Sequence, residues 1–166
     1  MFQLFFVGLA LVAATAHLVF SAKRRSSAAT IVGTYLVYLF SIYVGFMGLF
    51  TAYYHVFQPG LASASIGWAP SPFEYEVGMA DLTMGVLGVL CLVFRRDFWL
   101  ATAIGNAVWL LGDAVGHIRE VVIHKNHAAN NAGLFLVLEL AVPVVILTLV
   151  LYHRRLTLDN TEPLAA

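Results

Sequence analysis

Imidazole and carboxylate groups recur along this sequence at spacings that let them act together. Asp113, His117, Glu120, His124 and His127 follow one another at intervals of four, three, four and three. On a helix turning about 100° per residue, all five fall within an arc of about 80°, so one face alternates carboxylate and imidazole. Such a face can coordinate a metal ion or relay protons. His55, Glu74, Glu76, Asp81 and Glu139 carry the same chemistry on other segments. Glu76 and Asp81 lie five residues apart and point about 140° away from each other on a straight helix. Glu74 and Asp81, seven apart, share a face. Glu76 is therefore expected in a helix cap or in the site itself, ahead of Asp81 as a ligand. For Glu74, His124 and His127 the simpler reading is a solvated position at a helix end.

The elements that hold these groups must be membrane helices. Of 166 residues, 61% are hydrophobic and 11% charged, which is far more apolar than a soluble domain. The formal net charge is zero, so nucleic acid is not an expected partner. Cys91 is the sole cysteine, which excludes an internal disulfide and a cysteine-based zinc cluster. Five stretches approach the roughly 20 apolar residues needed to cross a bilayer: 2–22, 29–57, 75–94, 98–123 and 132–152. The first lacks the basic start of a secretory signal and is followed by Lys23, Arg24 and Arg25, so it reads as a retained helix.

Seven of the nine basic residues, in Lys23-Arg24-Arg25, Arg95-Arg96 and Arg154-Arg155, fall at alternate segment ends. Arg119 and Lys125 fall on the other side. The positive-inside bias then places the N-terminus outside and the C-terminus in the cytosol. The expectation is an all-α integral membrane bundle, one domain over 1–155 in a prokaryotic cytoplasmic membrane. An outer cap or re-entrant loop at 58–74 and a flexible tail at 156–166 complete it. Gly78, Gly85 and Gly88, with Ala80, suit close helix packing. Tyr35, Tyr38, Tyr43, Tyr53 and Tyr54 suit interfacial anchoring or, less commonly, a lipid groove. His17 and Asn106 read as hydrogen bonds between helices.

Depth separates function from solvation. Asp81, Asp113 and Glu139 each sit about two turns from an outer helix end, and each would cost roughly 2.5–3.5 kcal/mol if turned to lipid. The cheaper arrangement directs them into a hydrated cavity, hydrogen-bonded, paired with histidine or bound to a cation. A divalent ion there would have imidazole and carboxylate ligands, which suits zinc, iron or manganese. Known templates are not matched. His117-Ile118-Arg119-Glu120 reads His-x-x-Glu, the reverse of the Glu-x-x-His of di-iron bundles, and neither His-Glu-x-x-His nor Gly-x-Ser-x-Gly occurs.

Ile66-Gly67-Trp68, Ser71-Pro72-Phe73, Glu76-Val77-Gly78 and Gly85-Val86-Leu87-Gly88 form a joint pattern. Phe98-Trp99-Leu100-Ala101-Thr102, Gly116-His117-Ile118, Glu120, His124 and Asn131-Ala132-Gly133 continue it. Over about 66–143 the chain resembles an uncharacterised family of small bacterial and archaeal multi-pass membrane proteins. The resemblance implies no substrate, cofactor or catalytic residue. It implies uncharged residues at positions 81 and 113, which moves the emphasis to His55, Glu76, His117, Glu120 and Glu139.

The expected site is an outward-facing pocket of His55, Glu76, Asp81, Asp113, His117, Glu120 and Glu139 built by the second to fifth helices. His117, Glu76 and Glu139 are its metal ligands. It would bind a metal or small polar ligand, with membrane-embedded catalysis as one use. The alternatives are a proton-coupled transporter and a non-catalytic subunit or assembly factor of a membrane complex. Expected partners are the lipid bilayer and either a second copy or a membrane complex.

Overall fold

In the computed structural model, which describes residues 2–159, the chain is helical and has no strand among those residues. The helices are α1 (Phe2–Phe20), α2 (Ala28–Phe57), α3 (Pro59–Ile66), α4 (Glu74–Leu90), α5 (Asp97–His124) and α6 (Leu134–Asp159). Four of them, α1, α2, α5 and α6, are long and apolar enough to cross a membrane. The expected span at 75–94 is a helix of 17 residues followed by a turn at 91–93. That length lies at the short end of what a bilayer requires. The expected loop at 58–74 contains α3, which starts on Pro59 at its first turn and stops at Gly67, whose φ of 72° suits glycine.

The last helix continues past 152, so 156–159 are helical where a flexible tail was expected. No Gly or Pro interrupts it there, and Thr157 Oγ1 donates back to the His153 carbonyl at 3.1 Å. The remainder of that tail, 160–166, lies outside the described residues.

α2 is the central rod. Of its spanning window 56% is buried, against 22% for α1, 39% for α5 and 28% for α6. It packs on α1, α4 and α6, and its Leu36, Phe40, Tyr43 and Val44 meet Ile146 and Val150 in the core. Within it, Leu39–Phe46 is wound as a π-helix, whose wider turn changes the angular register between the two halves. The contact with α4 depends on missing side chains. A Cβ on Gly88 would lie 2.5 Å from the Gly45 amide nitrogen, and one on Gly48 would lie 2.9 Å from Gly85 Cα. Small residues thus let two backbones touch, as in close membrane helix pairs.

The two ends of the bundle differ in chemistry. Arg24, Arg95, Arg96 and Arg154, from three separate links and helix ends, line one cavity. Gln3, His55, Glu74, His117 and Glu139 gather around another at the opposite end. α4 begins beside the second set, lies along α2 from His55 to Phe40, and leads through the turn that follows it into the first set.

Candidate functional site

The carboxylate-lined cavity has a volume of about 480 Å³ and receives residues from all six helices. The first helix was not expected to contribute, yet Phe2 and Gln3 line it. Most of its wall is apolar, with Phe50, Tyr54, Ile66, Phe73 and Val77 among the lining side chains. The ionisable groups are gathered in two clusters.

The deeper cluster is Asp113, His117 and Glu139. Each offers one ligand atom, and these atoms lie within 4.8 Å of one another. His117 Nε2 stands 3.9 Å from Asp113 Oδ2 and 4.0 Å from Glu139 Oε2. A tetrahedral ion with bonds of about 2.1 Å sets its donors about 3.4 Å apart, so small side-chain rotations would close the set. Glu139 is 1% exposed and His117 3%, whereas the Asp113 side chain is 37% exposed and leaves one side open to the cavity. The Glu139 carboxyl is hydrogen-bonded to that of Asp113, and its Oε2 has no hydrogen-bond partner, an arrangement that is costly for a buried carboxylate. Pro143 lies four residues on, so it donates no helix bond to the Glu139 carbonyl.

A hydrogen-bond chain sets the orientation of His117. Asn131, fully buried, directs its amide nitrogen to the Asn126 carbonyl at 3.0 Å. Its Oδ1 therefore faces the other way, accepting from Trp68 Nε1 and from His117 Nδ1, each at 2.8 Å. With the proton on Nδ1, the neutral ring carries its lone pair on Nε2, towards Asp113 and Glu139. Metal-binding histidines are commonly held in this way by an oxygen behind the ring. Trp68 and Phe135 flank the imidazole, with ring centroids at 5.3 and 5.2 Å. The C-terminal end of α3 is tied down at the same place, since Asn126 Nδ2 donates to the Ile66 carbonyl at 2.8 Å.

The second cluster repeats the pattern on α2 and α4. His55 Nδ1 donates to Glu74 Oε2 at 2.8 Å, and His55 Nε2 lies 3.9 Å from Asp81 Oδ2. Trp109 Nε1 donates to Asp81 Oδ1 at 3.2 Å.

Of the expected residues, His55, Asp81, Asp113, His117 and Glu139 line the cavity. Glu76 does not. It is exposed on α4, and Glu74 takes the place expected for it, because Glu74 and Asp81 share a helix face and Glu76 does not. Glu120 is half-buried outside the cavity lining, 3.7 Å from His124. His127 leaves the stripe because α5 ends at His124, with Lys125 left-handed at φ 56°. His17 Nδ1 meets Tyr38 Oη at 3.1 Å, whereas the Asn106 Nδ2 is buried without a partner among the described residues. Trp68, Asn126 and Asn131 were not expected in the site. The only signal for Trp68 and Asn131 was their place in the motifs Gly67-Trp68 and Asn131-Ala132-Gly133, which converge with Gly116-His117-Ile118 around one imidazole.

Over residues 1–159 the sequence matches a family described as Family of unknown function (DUF6790). The chain belongs to this family. Comparison with curated proteins and with solved structures gives no match. The family assignment thus covers all six helices and carries no activity, and the chemistry of the site rests on its geometry.

Proposed function

We propose that this protein is a five-span membrane protein, N-terminus outside and C-terminus cytosolic, whose outward-facing pocket binds a divalent cation. Asp113, His117 and Glu139 are its ligands. The observation that carries this reading is Glu139: a buried carboxyl against that of Asp113, whose Oε2 has no hydrogen-bond donor and lies 4.0 Å from the ring nitrogen of an oriented histidine. Two carboxylates beside one imidazole are poorly compensated alone and well compensated by a doubly charged ion. Mixed nitrogen and oxygen donors favour zinc, iron or manganese over calcium or magnesium. The half-open side at Asp113 leaves room for water or a polar substrate group, which such an ion can polarise. Support for five spans comes from α4, which starts at the acidic end and is followed directly by the turn that carries Arg95 and Arg96 into the arginine end. Support for the direction comes from the collection of arginines at one end.

Elemental analysis of the detergent-purified protein tests this, followed by titration of stripped protein with Zn²⁺, Fe²⁺ and Mn²⁺. Saturable binding of one of them is expected, lost in His117→Ala and Glu139→Gln and retained in Glu76→Gln. Sub-stoichiometric metal, unaltered by His117→Ala, would overturn it.

A further inference from the structure

The arginine end holds a second cavity, of about 630 Å³, that the cation site does not use. Arg24, Arg95, Arg96 and Arg154 line it, with His153 and Trp99. Four guanidinium groups meet one carboxylate there among the described residues, Asp97, which pairs with Arg154. Among the same residues Arg24, Arg95 and Arg96 form no salt bridge. The cavity is nevertheless built. Trp99 is 2% exposed and anchored through Nε1 to the Cys91 carbonyl at 2.9 Å, and the Arg95 guanidinium lies 5.2 Å from its ring centroid. The His153 ring packs against Gly33, where a Cβ would come within 2.9 Å of Nε2. Arg96 is held at a positive φ of 58°, uncommon outside glycine, at the start of α5.

Planar guanidinium groups converging on one space match the oxygens of a phosphate, to which they donate in pairs. The rim decides the source of that phosphate. Phe94, Leu151, Tyr152 and Leu158, beside or among the lining residues, are large apolar side chains about half exposed or more. A soluble anion has no use for them. A lipid satisfies both surfaces, its head in the arginines and its chains along α4 and α6. Basic pockets between helices on the cytosolic side are suited to such headgroups.

We propose that this cavity binds the headgroup phosphate of an anionic membrane lipid. The full chain, purified in detergent, is offered equimolar phosphatidylglycerol and phosphatidylcholine, and retained lipid is read by native mass spectrometry. Phosphatidylglycerol is expected to be retained preferentially. In the double variant Arg24→Gln, Arg96→Gln, both at exposed positions, its affinity falls roughly 25-fold, the product of about fivefold for each guanidinium. His117→Ala, at the far end, keeps the preference, which separates this site from the cation pocket. Equal retention of the two lipids, or undiminished phosphatidylglycerol binding in a folded double variant, would overturn the proposal. Equal thermal stabilisation by inorganic phosphate and by phosphatidylglycerol would overturn the lipid as source.

Discussion

Glu139 shows how a residue suited to function strains the protein that carries it. Its Oε2 is buried without a hydrogen-bond donor, and the groups that face the carboxyl are the Asp113 carboxyl, hydrogen-bonded to it, and the His117 ring at 4.0 Å, so full ionisation of both carboxyls is poorly compensated in the absence of a cation. Glu139→Gln is therefore expected to leave the melting temperature of the metal-free protein unchanged or raised. The same change abolishes the rise produced by added metal, and thermal melts with and without Zn²⁺ check both. Asn131 acts through His117. Asn131→Ala removes the acceptor behind Nδ1 and is expected to weaken metal binding about 10–100-fold, the usual effect of losing such a support. Titration of the stripped variant measures it. The His117 side chain was evident from the periodicity of α5. Asn131 was not, because its role depends on a loop that returns to the helix it follows, and spacing on one helix says nothing about a neighbour.

At the scale of elements, the pairing of α2 with α4 is the contact that assembles the second cluster. His55 and Met47 sit on one helix, Glu74 and Asp81 on the other, and the four glycines set the separation. Gly88→Ala would favour α4 by roughly 1 kcal/mol on helix propensity alone. The added Cβ, 2.5 Å from a backbone nitrogen, instead forces the helices apart, and overpacking of this kind costs about 1–3 kcal/mol. A lower melting temperature is expected, whereas Gly8→Ala, with nothing within 4 Å of the added carbon, should not lower it. The glycine spacing was visible as a packing motif. The π-helical stretch at Leu39–Phe46 was not, since it changes the turn without leaving a pattern in residue type. Glu76 fails for a related reason. Choosing it over Glu74 required knowing where regular helix begins, and α4 begins at Glu74.

At the scale of the molecule, most arginines and most carboxylates are sorted to opposite ends of one bundle, with Asp97 and Arg119 as exceptions. The proposed membrane orientation can be measured. In intact cells, Ser65→Cys is expected to react with an impermeant maleimide and Ser26→Cys only after permeabilisation, with the native Cys91 silent because it is fully buried. The reverse pattern would invert the topology. Composition and apolar run lengths by themselves determined that the chain is helical and suited to a membrane, because backbone polar groups in lipid must be satisfied within each helix. Charge placement determined that two ends would differ. The choice of Asp113, His117 and Glu139 as partners, and the place of Glu74, belonged to tertiary structure. Side chains on different helices meet only once helix rotation, the depth of each start and the path of the connecting loops are all set, and those quantities arise from packing.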